Sequence, residues 1–426
     1  MPEAQEPTTR LETSRGRLLL RKLCRNLFYL HLFLVSILAL ILTIRGLISV
    51  IHNHRFHLQN WFPPLLASTG CAATVGLAWQ FFTLYCPSRT IKAAFWLSPL
   101  LTCALSILFA SIGSPGSLAV AAVALISAIV QSLYACWVSH RFDHAIRILS
   151  VSIASPLPKI NTVVILTLVV STLYSSILVV AIGGATATST PLDPLFIFIL
   201  LLSLTWTMQV IRNTLQVAAS RVKYMNLVCG MNLNATTAFR DVLKHSMGSV
   251  CLGSVLVPFI GLVRGSARAL SLVSGDTDEF MFSCTDCYYG IASRLIFYGN
   301  RWGFVHVGVY NKGILQASLD TWDMFKRVGL IPVVDSDLTS SFCFLCGVVG
   351  GAASGLTGGS WALVIHKAYA TEVSICAFLI GYFMCRLPMA WPQACVSAYH
   401  VAYAENPQSA GFDSTIPVRI QQLQRS

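Results

Sequence analysis

Charged side chains are scarce in this chain of 426 residues: Asp, Glu, Lys and Arg make up 11% of it, whereas 55% is hydrophobic. An ordinary soluble domain carries about 25% charged residues. So few charges cannot cover the surface of a soluble globule of this length, and a disordered chain needs more charge and less hydrophobicity. The composition therefore excludes both classes and indicates an integral membrane protein.

Carboxylates are absent from the apolar runs, because none of the 17 Asp and Glu residues lies in the middle of one. A buried carboxylate is the usual proton relay or cation counter-ion in a transporter. Its absence argues against an obvious proton-coupled pump. A cationic substrate would need another partner, such as aromatic ring faces, which contribute about 2 kcal/mol or more when desolvated.

Motifs for nucleotide, metal or covalent chemistry are also missing. The glycine-rich run 347–359 contains no Gly-Lys-Ser/Thr, so the chain has no phosphate-binding loop to drive transport with ATP. Two Cys-x-x-Cys pairs, Cys284/Cys287 and Cys343/Cys346, lie much further apart than the 15–20 residues typical of a zinc ribbon. We predict no metal, no cofactor and no enzymatic activity.

Long apolar runs dominate the rest of the sequence, and about 20 such residues are needed to cross a bilayer. They predict an all-α polytopic membrane protein of about ten transmembrane helices with short loops. A basic cytosolic leader (1–26) precedes a transporter domain (27–397), and a cytosolic tail (398–426) follows. The predicted spans are 27–51, 61–85, 93–113, 118–138, 162–184, 194–217, 247–263, 295–310, 341–365 and 373–394.

Positive charge is concentrated in alternate loops, which sets the predicted orientation. Around the first seven spans, one side carries fifteen Lys and Arg residues and the other only Arg55. Because Lys and Arg are retained in the cytosol, both termini are predicted to be cytosolic, in a plasma membrane or, as an alternative, an endomembrane. This placement attributes the net charge of +12 to membrane topology, and we predict no nucleic-acid partner. The glycosylation sequon at Asn234 then falls on the cytosolic side and should be unused.

Two groups of aromatic and amide residues form the predicted substrate site. The sixth span has three at helical spacing, and the interrupted eighth span has four around Gly299. A broken hydrophobic segment points to a transporter site, because unwound backbone at membrane depth must line a cavity or be buried in protein. The alternative for each residue is an interfacial belt or a helix contact. The predicted substrate-binding residues are Trp206, Gln209, Asn213, Tyr298, Asn300, Trp302 and Tyr310.

Small residues at steps of four predict close helix packing in the ninth and seventh spans. Such residues let helix backbones approach one another in lipid. The ninth span has Gly347, Gly351, Gly355 and Gly359, and the seventh has Ser249 and Gly253.

Several dispersed motifs resemble those of the choline transporter-like family, which includes the yeast Pns1-type proteins. They are WTMQVIRN (206–213), HSMGSVCLGS (245–254), a stretch from Asn300 to Phe325, and SAYHVAYAENP, which ends at Pro407. The resemblance is closest to the short plant members. It implies a ten-span helical carrier for choline or a related amino alcohol with both ends cytosolic. Gln216 and Arg221 depart from the residues that many members have, which are His and Gly.

The sequence therefore predicts a carrier that moves choline or a similar small cation by alternating access without ATP hydrolysis. The rings of the predicted site would hold the ammonium group, and Asn213 and Asn300 would hydrogen-bond the hydroxyl. One alternative is a non-transporting membrane protein that acts in lipid organisation or vesicle trafficking; a membrane-embedded enzyme of lipid metabolism is another. The expected partners are the small substrate and membrane lipids. The oligomeric state does not follow from the sequence.

Overall fold

Helices account for the regular structure of this chain. The computed structural model describes residues 7–52, 62–155, 157–186, 191–274, 288, 290–291, 294–365, 367–408 and 412–425, and no β-strand occurs among them. Helices satisfy every backbone hydrogen bond within the segment, which lipid requires because it offers no partners. The predicted all-α polytopic membrane fold is confirmed.

In the first half of the chain, the described residues form six long helices and two short ones. Pro87 and Pro115 stand in the first turn of the third and fourth helices, where the missing N–H costs nothing. The helices are α1 (Pro7–His52), α2 (Phe62–Tyr85), α3 (Pro87–Ile112), α4 (Pro115–Val138), α5 (Phe142–Ala154), α6 (Ile160–Thr186), α7 (Asp193–Cys229) and α8 (Ala235–Asp241).

The second half alternates long helices with short ones. A π-helical turn, Val242–Ser246, leads into the first of them. The helices are α9 (Met247–Ser274), α10 (Gly303–Tyr310), α11 (Ile314–Val328), α12 (Ile331–Asp335), α13 (Thr339–Ile365), α14 (Ala370–Arg386), α15 (Ala390–Glu405) and α16 (Thr415–Arg425).

Within the described residues, nine helical stretches are long and apolar enough to cross a membrane. Their outward faces carry large apolar side chains such as Ile107, Leu133 and Leu173, each more than half exposed, as expected for surfaces that face lipid. The stretches are Leu18–Ser49, Phe62–Tyr85, Pro87–Ile112, Pro115–Ala154, Ile160–Thr186, Asp193–Cys229, Ala235–Ala267, Ile331–Ile365 and Lys367–Arg386.

The predicted eighth span, 295–310, is not one helix in the structure. Only α10 is helical over a full turn or more, and its eight residues extend about 12 Å, against a hydrocarbon core of about 30 Å. The side chain of Asn300 accepts a hydrogen bond from the Gly303 N–H at 2.8 Å, so the chain turns there and α10 begins afresh. A tenth crossing stays a prediction.

The last predicted span is also divided. Pro388 has no N–H and disfavours helical geometry in the residue before it, and the chain turns at 387–389 between α14 and α15. Helix α15 continues to Glu405, and its residues 390–404 are buried. The segment that we predicted to be a tail from residue 398 thus begins inside a buried helix. The division into leader, transporter domain and tail is otherwise a prediction.

The four glycines of the ninth span lie against neighbouring helices. A Cβ on Gly351 would come within 2.9 Å of the Phe378 carbonyl oxygen of α14, so the two helices pack with their backbones nearly in contact. Gly347, Gly355 and Gly359 also face α14 through Arg386 and Ser374. In α9, a Cβ on Gly253 would meet the Phe304 ring at 2.8 Å, and the Ser249 hydroxyl donates to the Lys312 carbonyl at 3.4 Å.

Long-range contacts bring the predicted cytosolic segments to one end of the bundle, which we call the basic end. Arg21, near the start of α1, donates to the His245 carbonyl before α9 and to Asn311 after α10. Lys223 of α7 donates to Ser155 after α5 at 2.5 Å. Helix α16 packs against α5 and α12.

Candidate functional site

Helices α7 and α15 run parallel and carry polar contacts at two levels. Arg212 of α7 meets Gln393 of α15, and Tyr224 meets Glu405, twelve residues further along each helix. A rise of 1.5 Å per residue separates the two levels by about 18 Å. We call the contacts around Arg212 the deep layer and those around Glu405 the mouth cluster, because Glu405 lies towards the basic end.

Arg212 forms the centre of the deep layer and is only 6% exposed. Its guanidinium donates to the side-chain oxygens of Gln393 and of Asn213, the latter at 3.3 Å. Gln393 in turn donates to the Ser340 hydroxyl at 3.0 Å. Among the residues that the structure describes, Arg212 pairs with no carboxylate and its Nε atom has no hydrogen-bond partner. A buried guanidinium is therefore held by amides alone.

An ion pair between Arg301 and Asp337 completes the deep layer at 2.5 Å. The Asp337 side chain is fully buried, and its other oxygen accepts from the Thr339 backbone N–H at 2.9 Å and hydroxyl at 2.6 Å. Arg301 also donates to Ser340 and lies 4.4 Å above the Trp302 ring. The Asp337 carboxylate thus accepts from three hydrogen-bond donors, which hold it in the ion pair with Arg301.

The deep layer carries more positive than negative charge. Arg386 of α14 donates to the Tyr382 hydroxyl at 2.8 Å, and its charge and that of Arg301 both act on Arg212. Of these three guanidinium groups, only that of Arg301 pairs with a carboxylate, Asp337, among the residues that the structure describes. Like charges make this region unfavourable for an ammonium group, whereas a hydroxyl or carbonyl oxygen could accept a hydrogen bond there.

The mouth cluster, unlike the positively charged deep layer, is built around a carboxylate. The Glu405 carboxylate accepts hydrogen bonds from Tyr224 and, at 3.3 Å, from the Tyr310 hydroxyl, and His306 Nε2 lies 3.0 Å from its other oxygen. The two tyrosine rings meet edge to face at 6.2 Å. His306 Nδ1 is 3.1 Å from the Thr321 hydroxyl, which orients the imidazole.

The hydrogen bonds keep Glu405 charged although its side chain is only 24% exposed. Burial alone would raise the pKa of Glu405, but the hydrogen bonds with His306 and Tyr224 outweigh burial, so the pKa lies below its ordinary value of 4.5. A charged carboxylate beside two phenol rings is an arrangement that attracts an ammonium group. The mouth cluster is therefore the candidate cation site.

The predicted site residues of the sixth span face different partners. The Trp206 ring packs against α1, 5.4 Å from the Phe28 ring and 4.7 Å from the His31 ring. Asn213 donates to the Ser254 hydroxyl of α9 at 3.0 Å and accepts from Arg212, and Gln209 is buried. Of these three residues, Asn213 belongs to the deep layer.

The predicted residues of the broken segment are mostly engaged within the protein. Asn300 is buried: its amide nitrogen donates to the Ile296 and Ser318 carbonyls, and its oxygen caps α10. Trp302 packs among Arg301, Trp322 and Phe325, and Tyr298 is 51% exposed. Only Tyr310 reaches the mouth cluster. The seven residues do not meet in one cage in the described structure.

Comparison with known proteins settles the family. A family profile described as plasma-membrane choline transporter matches residues 122–408, about two thirds of the chain. This chain belongs to the choline transporter-like family. The resemblance expected from the sequence is confirmed, and the family points to a membrane carrier rather than an enzyme.

Fungal relatives of the choline transporter-like family match shorter stretches. Protein PNS1 of Mycosarcoma maydis is 26% identical over 53% of this chain and 45% of its own length. Protein PNS1 of Gibberella zeae is 31% identical over 23% of this chain and 19% of its own length. Protein PNS1 of Yarrowia lipolytica is 28% identical over 31% of this chain and 25% of its own length. Each match thus covers less than half the length of the relative.

Five polar residues of this choline transporter-like chain escaped the sequence reasoning: Arg212, Tyr224, His306 (as a carboxylate partner), Gln393 and Glu405. Arg212 was visible as a charge inside an apolar run, which is a functional candidate by default. Glu405 carried no such signal, because it lies beyond the last apolar run. Its importance depends on α15 returning along α7.

Proposed function

We propose that this protein carries choline or a related small amino alcohol across a membrane by alternating access, without ATP hydrolysis. Membership of the choline transporter-like family supports the class of substrate. The observation that carries the proposal is the mouth cluster, in which the charged Glu405 carboxylate lies against Tyr224 and Tyr310. A carboxylate beside two aromatic rings binds a quaternary or primary ammonium by charge and by cation–π contact.

The two polar levels are about 18 Å apart, which is more than one small amino alcohol can span, so the substrate would meet them one after the other. The ammonium group binds at the mouth cluster, and the deep layer offers Arg212 and Gln393 as hydrogen-bonding groups for a hydroxyl further along the path. Among the remaining residues of the sequence-based site, Trp206 and Gln209 lie on α7 towards its start, and Tyr298, Asn300 and Trp302 lie in the segment before α10. In this proposal they contact the substrate in another conformation of the transport cycle.

Uptake of radiolabelled choline into proteoliposomes tests the proposal. The wild-type protein should accumulate choline well above empty vesicles, and Glu405→Gln should reduce the initial rate at least tenfold. Glu372→Gln is the matched control, because Glu372 is an exposed carboxylate in the first turn of α14. Its rate should equal that of the wild type.

Two outcomes of this assay would contradict separate parts of the proposal. Absence of uptake by the wild type would remove choline and would favour a non-transporting role in lipid organisation. Wild-type uptake that Glu405→Gln leaves intact would remove the mouth cluster but keep the carrier function. In that case Trp206→Ala and Asn213→Ala should be measured next, because they belong to the sequence-based site.

A further inference from the structure

A cleft of about 220 Å³ opens at the basic end between residues 18–21 of α1 and the starts of α9 and α11. Its walls include Leu18 of α1, Leu252 of α9 and Leu315 of α11. Two cations, Arg21 and Lys312, line it as well. The cleft is separate from the deep layer and the mouth cluster, which lie along α7 and α15.

Arg21 makes only neutral contacts in the described structure. Its guanidinium donates to the Asn311 carbonyl at 3.3 Å, to the Asn311 side-chain oxygen at 3.1 Å and to the His245 carbonyl at 3.3 Å. Lys312 pairs with Asp320 at 2.6 Å, outside the cleft lining. The cleft lining therefore holds two positive charges and no carboxylate. An anion would gain charge-assisted hydrogen bonds there.

The apolar walls continue onto the membrane-facing surface. Leu18, Leu19 and Leu23 of α1 are each more than half exposed beside the cleft. The same stretch of α1 carries Lys22 and Arg25, which add positive potential near the membrane surface. A ligand that joins an anionic head to an apolar chain matches both the charges and the walls.

We propose that this cleft binds an anionic glycerophospholipid. Arg21 and Lys312 contact the phosphate, and one acyl chain lies along Leu252 and Leu315 and leaves between α1 and the surrounding lipid. A soluble phosphate lacks the chain that the apolar walls would hold, so the lipid is the occupant that uses the whole cleft.

One residue of the cleft lining, Lys312, also lies beside the candidate cation site. Lys312 Nζ lies 5.3 Å from the centre of the Tyr310 ring, and Tyr310 contacts Glu405. A lipid phosphate that draws Lys312 towards the cleft would remove a positive charge from the face of this ring. On the basis of the proposed function, anionic lipid should then raise choline uptake, since the ring face becomes available to the substrate.

Lipid binding to the purified full-length protein tests the site directly. Native mass spectrometry would count bound phosphatidylglycerol against phosphatidylcholine, with soluble glycerophosphate as a third ligand. We expect phosphatidylglycerol to be retained at least fivefold more than either. Arg21→Gln should abolish this preference, whereas Lys22→Gln, which removes the same charge from an exposed neighbour outside the cleft lining, should keep it.

Leu315→Trp is the second variant, because it fills the cleft without changing its charge, and it should also reduce phosphatidylglycerol retention. Thermal unfolding of each variant checks that the protein is folded. Equal losses in Arg21→Gln and Lys22→Gln, or full retention in Leu315→Trp, would overturn the lipid site. Retention of glycerophosphate equal to that of the lipid would indicate a soluble anion site instead.

Failure of this inference can be told apart from failure of the proposed function. Lipid retention is measured without choline, so an Arg21-dependent lipid preference in a protein that takes up no choline keeps the lipid site and removes the carrier. Choline uptake by a protein that shows no lipid preference keeps the carrier function and removes the lipid site.

Discussion

Arg212 of α7 donates a hydrogen bond to the side-chain oxygen of Gln393 of α15, which lies 181 residues further along the chain. A neutral amide satisfies the guanidinium but does not neutralise it. The deep layer consequently keeps a net positive charge inside the bundle, where desolvation makes an unpaired charge costly. Such a residue in a membrane span is a functional candidate by default.

Loss of this contact should destabilise the protein. Gln393→Leu leaves the buried guanidinium without its main acceptor, and a hydrogen bond to a charged group contributes about 1.5–3 kcal/mol. We expect the free energy of unfolding in detergent to fall by about 2 kcal/mol. Gln421→Leu, at an exposed position in α16, is the control and should change it little. Equal effects of the two substitutions would contradict the role assigned to Gln393.

Close packing of α13 and α14 predicts a strong effect of side-chain size at Gly351. Gly351→Val places a Cβ 2.9 Å from the Phe378 carbonyl oxygen, and overpacking of this kind costs about 1–3 kcal/mol. Thermal unfolding in detergent should show a lower midpoint. Gly70→Val on α2 is the matched control, because a Cβ there meets nothing within 4 Å. A midpoint that Gly351→Val leaves unchanged would argue against tight contact of these helices.

The stability of the protein should depend on the charge of Glu405. Its folded-state pKa is lowered by His306 and Tyr224 against the opposing effect of burial, so its contribution is complete above the ordinary value of 4.5 and is lost as the pH falls through the folded-state pKa. The unfolding midpoint of the wild type should drop in this acidic range. The unfolding midpoint of Glu405→Gln should fall less than that of the wild type over this pH range, and the midpoint of Glu372→Gln should fall as much as that of the wild type. Parallel curves for the wild type and Glu405→Gln would contradict the assignment.

Docking of the C-terminal helix should depend on Asp413. Asp413 accepts from the Tyr399 hydroxyl of α15 at 2.6 Å and from the Thr415 hydroxyl at 2.5 Å, and it lies at the start of α16. Asp413→Asn weakens these bonds and the favourable charge at a helix N-terminus. Limited proteolysis should cleave this variant faster within 406–425. Asn406→Asp, at an exposed position, is the control; equal cleavage rates of Asp413→Asn and the wild type would refute the role of Asp413.

Orientation in the membrane can be read from glycosylation. The sequon at Asn234 precedes α8 at the basic end, which the charge distribution predicts to be cytosolic. In eukaryotic cells, Asn234→Gln should leave the apparent mass unchanged. Gly275→Asn creates a sequon with Thr277 in a segment that simple alternation predicts to be external, and it should add a glycan. A glycan on Asn234 would reverse the predicted topology.

Sequence alone determined the class of the protein and its family. Apolar runs of about 20 residues form helices in lipid, because a helix satisfies the backbone hydrogen bonds of a run within that run, so the rule applies to each run separately. The dispersed motifs from Trp206 to Pro407 likewise needed no coordinates to indicate the family.

Tertiary structure alone decided which polar residues meet. The sequence-based site grouped Trp206 with Asn300 and Trp302 by chemical type, but Trp206 packs on α1 while Asn300 caps α10. Glu405 lay outside every apolar run, yet α15 brings its carboxylate to Tyr224 and Tyr310. Contacts between residues so far apart in the chain depend on which helices are neighbours in the bundle. Helical periodicity within one segment carries no information about those neighbours.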